Sequence, residues 1–379
     1  MIWFGKLMWK LKILVFNWRC WLNPEMGGAE VFSREVLKRW VKAGHKVTLF
    51  TSKFEGSQRN QVADGVDIIR DGGRYSVYWK AKEHYNKFFS KEDYDVIIDE
   101  INTRPFLTPK FVKKGERVIA LIHQLAREYW FYETPFPINY LGYHFFEERW
   151  LKNYREIPTV TVSESTRKDL ASLGFKAVFV VSEGLDFEPL EELHERASNP
   201  VIIFAGRLKK AKRPDDAIEA FRIVRKRIPT AELWIIGNGY LKDRLMRVAP
   251  EGASFFSPAS NEERRELIKK AWVLVNPSVR EGFGLNVVEA NALGVPGIAY
   301  DVAGLRDSII DGKTGLLVKS GETETLAAAV TQVLTNDALR TKLSKEALVY
   351  SKNFSWDRVA DEFMRVVETI CQGYDVEVE

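Results

Sequence analysis

Cysteine is nearly absent: the 379-residue chain has two, Cys20 and Cys371. Two thiols so far apart make neither a disulfide framework nor a metal site, and they fit a reducing compartment. Histidine is scarce as well, and His45, His84, His144 and His194 fall at no ligand spacing. No apolar run approaches the ~20 residues that span a bilayer. The start, MIWFGKLMWKLKILVFNW, imitates a signal peptide by placing Lys6, Lys10 and Lys12 ahead of ILVF. Its apolar run is short and no small-residue cleavage site follows, so residues 1–10 read as a tail and KILVFN as the first strand. A membrane-touching first segment is the minor alternative. Charge is only mildly unbalanced, at +4 overall. The first 185 residues carry 29 Lys+Arg against 22 Asp+Glu, and the remainder 27 against 30. A weakly basic first half suits anionic ligands or a membrane surface. Without zinc-finger spacing or an RNA-binding aromatic motif, it does not argue for nucleic acid.

What is present is ordinary globular composition, 45% hydrophobic and 28% charged, in a chain long enough for about two domains. Short apolar runs alternate with helix-like segments, which predicts parallel α/β sheets. The first half offers KILVFN (12–17), KVTLFT (46–51), VDIIRD (66–71), DVIIDE (95–100), RVIALIH (117–123), TVTVS (159–163) and VFVVSEG (178–184). GAEVFSREVLKRWVKAG reads as a helix with Val31, Val36, Leu37 and Trp40 on one side, stopping at Gly44. The polar stretch 188–200 reads as a linker. The pattern restarts at VIIFAGR (201–207) and continues through AELWIIGN, ASFFSP, WVLVNPS, VPGIAYD and TGLLV, and everything from Thr323 on reads as helical. The expected domains are therefore 11–186 and 200–353, with ligands at the carboxyl ends of the strands.

Three constellations fall at such strand ends. Gly27 and Gly28 of NPEMGGAEVF precede a helix, where backbone N–H groups can approach an anion. The spacing is not G-x-G-x-x-G, and a plain tight turn is an equal reading. In FAGRLKKAKRPDD, Arg207 and Lys212 flank a strand-to-helix loop and can both reach one phosphate; a solvated basic turn is the alternative. The third is EGFGLNVVEA, with Glu281 in a loop and Glu289 about two turns into the following helix. At ~1.5 Å rise per residue the carboxylates start on the order of 10 Å apart. Hydrolytic carboxylate pairs sit at ~5–5.5 Å or ~6.5–9.5 Å, so the spacing suits two parts of one long ligand better.

Together these residues resemble the retaining glycosyltransferases of family 4, which have the GT-B architecture: two Rossmann-like βαβ domains whose parallel sheets face a central cleft. The likeness runs from LVFN and GGAE through TVSESTRKDL, EGLD, AGRL–K, the E-x7-E block and DGKTGLLV to FSWDRVA. It implies a nucleotide diphosphate sugar as donor substrate and no cofactor or metal. Glu289 would bind the ribose and Glu281 would face the donor sugar. The backbone of Gly282, Phe283, Gly284 and Leu285 would approach sugar and phosphates. Arg207 and Lys212 would hold the diphosphate, Gly28 would lie under its distal phosphate, and His123 would lie beside the sugar. The last helix, 354–372, would return to the first domain. Acceptor proton transfer to the leaving phosphate on the attacking face is likewise implied by the resemblance, as is cleft closure over the donor.

Other features read as decoys. Asp93-Tyr94-Asp95 precedes its strand, the reverse of the metal-binding order in GT-A enzymes. DGKTG lacks the first glycine of a phosphate loop, since position 307 is Asp. In the aromatic stretch 128–154, Tyr143, Phe146, Trp150 and Tyr154 share a helical stripe. That stripe predicts a core-facing helix, with an acceptor wall for a glycan or lipid-linked acceptor as the functional alternative. The expected activity is retaining hexosyl transfer to a glycan, lipid-linked or small-molecule acceptor, in the cytoplasm or at the cytoplasmic face of a membrane. A nucleotide-sugar epimerase or glucan synthase on the same fold is the related alternative, and a non-enzymatic sugar-binding protein of the periplasmic type is the distant one.

Overall fold

The computed structural model describes residues 10–258 and 260–373; nearly all of the tail read at residues 1–10 lies outside them. Two parallel sheets organise the chain. The first contains β1 (Lys12–Phe16), β2 (Lys46–Thr51), β3 (Asn60–Ala63), β4 (Val66–Arg70), β5 (Val96–Glu100), β6 (Val118–Ile122), β7 (Thr159–Thr161) and β8 (Val178–Val180), in the order β3-β4-β2-β1-β5-β6-β7-β8. The second contains β9 (Val201–Ala205), β10 (Glu232–Ile236), β11 (Ala253–Phe256), β12 (Val273–Asn276), β13 (Gly297–Tyr300) and β14 (Gly315–Val318), ordered β11-β10-β9-β12-β13-β14. The central strands are near-continuous apolar runs because helices cover both faces, and β5, β6 and β9 are buried at every position.

Among the described strands β3 is the one antiparallel member, folding back on β4 across Asp64 and Gly65, both at positive φ. Its sequence, NQVA, is polar and half-exposed, as befits an edge.

Helix α1 (Gly28–Lys42) buries Phe32, Val36, Leu37 and Trp40, while Val31 is only partly buried. Against it packs the helix Trp356–Cys371 from the far end of the chain. Phe363 meets Trp40 with ring centroids 5.0 Å apart, Trp40 Nε1 donates to the Ala360 carbonyl at 3.0 Å, and Arg39 pairs with Asp357 at 2.5 Å. Burying aromatics such as Phe363 and Trp356 contributes roughly 1.5–3 kcal/mol each. The chain reaches this helix past Gly184, where a Cβ would lie 2.6 Å from the Trp356 backbone nitrogen. Segment 188–200 has no helix or strand but is stitched to the second domain: Leu190 N–H donates to Ala292 O at 2.9 Å and Ala197 N–H to Lys270 O at 3.0 Å.

A helix does form in 128–154, but its aromatic stripe does not face the core as expected. After the short helix α3 (Tyr129–Glu133), the chain is continuously helical over 138–154, α-helical at Ile138–Leu141, π-helical at Gly142–Phe146, α-helical at Glu147–Leu151 and 3-10 at Lys152–Tyr154. The wider π turn rotates the register, so the stripe does not stay on one face. Tyr154 alone is fully buried, while Phe146 is 39% exposed.

Candidate active site

The strands β1, β2, β4, β5 and β6 run parallel, so their carboxyl ends share one edge of the first sheet. The loops leaving β1 and β6 on that edge touch loops leaving β9 and β12 of the second sheet. Gly27 caps α1 in an extended conformation and donates its N–H to Glu30 Oε2 at 2.6 Å. Glu30 in turn accepts a two-pronged bond from Arg19 at 3.1 Å on each oxygen. This holds the glycine loop rigid. Across the cleft, a Cβ at Gly27 would lie 3.2 Å from an Arg207 guanidinium nitrogen. The Arg207 guanidinium makes no ion pair or hydrogen bond with any described residue. At Gly28 a Cβ would meet nothing within 4 Å, so the space over the helix start is open.

Lys212 lies 2.5 Å from both carboxylate oxygens of Glu281, and Ser278 Oγ donates to the same carboxylate at 2.8 Å. Burial works to lower the Lys212 pKa, but Glu281 outweighs it and holds the ammonium above its usual value. The Glu281 loop is tightly fixed. At Gly304 (φ +82) a Cβ would press to 2.2 Å of the Glu281 carbonyl, and at Gly282 it would lie 3.0 Å from the carbonyl of His123. Gly284, at φ +88, caps the next helix, Leu285–Ala292, a left-handed position that favours glycine. The Phe283 ring does not face the cleft: it packs edge-on against Phe354 with centroids 5.5 Å apart. Glu289 is the fifth residue of that helix, a little over one turn in rather than two. Its carboxylate pairs with Arg264 at 2.6 Å and not with the Lys212 cluster.

His123 is buried. Its Nε2 lies 3.3 Å from Glu100, its ring stands edge-on to Phe32 at 5.0 Å, and Nδ1 is buried with no hydrogen-bond partner. Burial pulls its pKa down, but the bond to Glu100 and the charges of Glu183 and Glu30 win and raise it.

The site thus gathers Gly27, Gly28, His123, Gly282, Arg207, Lys212 and Glu281, with Leu285 at the helix start and Glu289 set apart on Arg264. Three further members are given no role by the sequence. Glu183, in the EGLD segment, is buried at 6% exposure and makes no hydrogen bond with a described residue. Burial, with help from Glu281 and Glu289, pushes its carboxyl up to about 7, against the pull of His123 and Lys212. Tyr129 lies beside Lys212 and Glu281, and burial raises its phenol. Arg280 ties the domains together, reaching Glu128 at 2.8 Å and Asp169 at 2.6 Å. Ser165 N–H donates to Asp307 at 3.0 Å and Ala211 N–H to Glu133 at 2.9 Å, which adds two further crossings. EGLD and the histidine-to-tyrosine run LIHQLAREYW mark the first two in the sequence; Arg264 and Arg280 are anonymous among charged neighbours. Among the described residues, no three His, Cys, Asp or Glu converge as a metal site.

Chemically, an unpaired guanidinium, a buried ammonium and an open helix N-terminus converge on one space. That arrangement can hold a multiply charged anion and stabilise charge developing on it.

Residues 26–189 match the family model described as Glycosyltransferase Family 4, and residues 188–349 match that of the glycosyl transferases group 1. Among curated proteins, the D-inositol 3-phosphate glycosyltransferase of Jonesia denitrificans is 32% identical over 216 residues, covering 50% of this chain and 51% of that protein. The protein of the same name from Rhodococcus erythropolis is 31% identical over 187 residues, covering 46% of this chain and 42% of its own length. The chain therefore spans about half the length of the curated relatives it matches. Among solved structures, sucrose-phosphate synthase from Thermosynechococcus elongatus superposes with a TM-score of 0.77 at 19% identity, over 96% of this chain and all (100%) of that one. HepE from Anabaena, in complex with UDP and glucose, gives 0.69 at 15% identity, over 95% of this chain and 100% of that one. WaaG, a glycosyltransferase involved in lipopolysaccharide biosynthesis, gives 0.73 at 16%, over 94% of this chain and 99% of that one. At these identities the structural likeness speaks to the fold. The two family models abut at residues 188–189 and together run from 26 to 349, over the same pair of parallel sheets, and the chain belongs to the family 4 type of glycosyltransferases with the GT-B fold.

Proposed function

We propose that the protein transfers a hexose from a nucleoside diphosphate sugar to a glycan, lipid-linked or small-molecule acceptor, with retention at the anomeric carbon and without a metal ion. The observation that carries this reading is Arg207, an unpaired guanidinium set against Gly27 at the start of α1, with Lys212 and Glu281 beside it. Such a pair of cations at a helix N-terminus fits a diphosphate, and retaining transfer expels one. In this reading Glu281 faces the sugar, Glu289 the ribose, and the backbone of 282–285 and Gly28 the sugar and phosphates. The buried, unpartnered Nδ1 of His123 is available to a sugar hydroxyl. The curated relatives carry the name D-inositol 3-phosphate glycosyltransferase and one structural neighbour holds UDP and glucose, which supports the class of reaction and of donor. Action in the cytoplasm, with the aromatic segment 131–146 against a membrane surface, completes the proposal; no helix among the described residues is long and apolar enough to cross one.

The test is a thermal-shift panel of uridine, guanosine and adenosine diphosphates and their sugars, followed by radiolabel transfer from whichever donor binds. One nucleotide series should stabilise the protein, and label should move to an acceptor with the anomeric configuration kept. Arg207→Ala should cut turnover by roughly 10²–10³, as loss of one charge-stabilising donor does elsewhere. Silence across the whole panel would overturn the reading. Label recovered only as an altered nucleotide sugar would turn it into an epimerase.

A further inference from the structure

We propose that the cleft edge of the first domain carries a subsite for an anionic sugar residue of the acceptor, built on Arg74 and Arg104 with the rings of Trp18, Tyr75, Tyr78 and Trp79. The idea rests on the transferase reading, which places an acceptor on this domain; the chemistry of the acceptor is what it adds.

The residues come from three separate segments that leave parallel strands at the same sheet edge. Trp18 follows β1, Arg74 and Tyr75 follow β4, Tyr78 and Trp79 open α2 (Val77–Lys87), and Arg104 follows β5. The Arg74 guanidinium carbon lies 5.8 Å from the Trp18 ring and 5.7 Å from that of Tyr75. That of Arg104 lies 4.4 Å from the Tyr78 ring and 5.2 Å from that of Trp79. The Tyr78 phenol, half-hidden beneath, feels Arg104, Arg74 and Arg19 together. Like charges so close repel one another unless something negative sits among them.

No described residue supplies that charge. Arg19 is paired with Glu30, but neither Arg74 nor Arg104 makes an ion pair or hydrogen bond with any described residue. Asp99, whose charge also reaches the Tyr78 phenol, is fully buried and turned inward to Thr108 and Tyr154. Meanwhile Tyr75 and Trp79 are 71% and 65% exposed, large rings left open by the described residues. At the base of the cluster, Asn17 accepts from Arg19 N–H at 3.2 Å and from Asn102 at 3.1 Å, while its buried Nδ2 has no partner.

Rings stack on the apolar faces of sugars, and a guanidinium fork grips a carboxylate or phosphate with two parallel bonds. Rings held beside unpaired guanidiniums therefore select a sugar that is also an anion, over a neutral glycan. A bilayer is the poorer fit. The exposed apolar side chains suited to lipid, Phe136, Ile138 and Phe145, lie on the other segment. The cluster also connects to the transfer site through Arg19, Glu30 and Gly27, the last of which touches Arg207.

Calorimetric titration of the whole chain with trigalacturonic acid, mannose 6-phosphate and maltotriose tests this. The first two separate a carboxylate from a phosphate requirement. At least one anionic probe should bind about tenfold more tightly than maltotriose, and the double variant R74A/R104A should lose about that factor. Its binding of the nucleoside diphosphate should be unchanged, which shows it folded. Equal binding of charged and neutral probes, an R74A/R104A protein that binds like the parent, or attachment only to phosphatidylglycerol vesicles would each overturn the proposal. A protein that takes the anionic probe but no nucleoside diphosphate sugar would fail the transferase reading and leave this subsite standing.

Discussion

The Lys212 ammonium bridges both carboxylate oxygens of Glu281 at 2.5 Å. A diphosphate that uses Lys212 must therefore compete with a carboxylate already in place. Glu281→Gln removes that competitor and leaves a buried cation in want of an anion. Nucleoside diphosphate should bind about tenfold more tightly to Glu281→Gln than to the parent, while turnover falls because the carboxylate proposed to face the sugar is lost and product release slows. Calorimetry paired with a steady-state assay checks this. Weaker diphosphate binding in the variant would count against Glu281 as a competitor.

The two glycines before α1 should part company. A Cβ at Gly27 would press 3.2 Å from an Arg207 nitrogen, whereas at Gly28 it would meet nothing within 4 Å. Gly28→Ala should change unfolding free energy by no more than about 0.5 kcal/mol, as open sites do. It should nonetheless weaken nucleoside diphosphate binding by about tenfold, because the methyl occupies ligand space. Urea denaturation and calorimetry read the two quantities separately. Unchanged diphosphate affinity would move the phosphate site away from Gly28.

Stability should fall as the solution becomes more basic. The Glu183 carboxyl is pushed up to about 7 from an ordinary 4.5. Between those values the folded protein keeps a proton that the unfolded chain has released, so stability is lost as pH rises through that window. At 1.36 kcal/mol per unit the effect is on the order of 3 kcal/mol. His123, also raised, adds in the same sense: its contribution is full below the ordinary histidine value and is lost as pH climbs past the folded one. Melting temperature should drop from about pH 5 to about pH 8, and Glu183→Gln should flatten much of that drop. Parallel profiles for parent and variant would remove Glu183 from the explanation.

Arg280 should hold the domains together. Its side chain is 11% exposed and bridges Glu128 and Asp169, which are 47% and 33% exposed. Because water can resolvate both carboxylates, Arg280→Ala should cost about 1–2 kcal/mol, below the figure for a fully buried pair. The sharper readout is shape. Small-angle scattering of ligand-free Arg280→Ala should show a larger radius of gyration than the parent, shrinking when donor is added. Identical profiles would mean that the other crossings, such as Ser165 to Asp307, suffice.

The parallel sheets were legible because buried strands must be apolar along their length, as in VIALI and VIIFA. Strand β3 was not, since an edge strand of Asn, Gln, Val and Ala has no such requirement. The helical stripe through Tyr143 and Trp150 misled because a single π turn is invisible to periodicity. At the site, glycines and cations at strand ends could be found by their position relative to apolar runs. Their partners could not: Arg264 joins Glu289, and Arg19 joins Glu30, through choices of geometry that local sequence does not encode. Glu183 carries a raised pKa because the fold buries it, with Glu281 and Glu289 adding to the push and His123 and Lys212 opposing it, and none of this is encoded next to it in the sequence.

The helix Trp356–Cys371 gives the molecule an order of events. The first domain leaves the ribosome early, but the apolar side of Phe32 and Trp40 stays uncovered until all of 201–351 has been made. Nascent chains therefore carry an exposed aromatic face for most of synthesis, a state that attracts chaperones and risks association. Cutting the gene at residues 188–189, where the two family models meet, would strand that face permanently. An autonomous first domain would instead need residues 354–372 grafted back onto it.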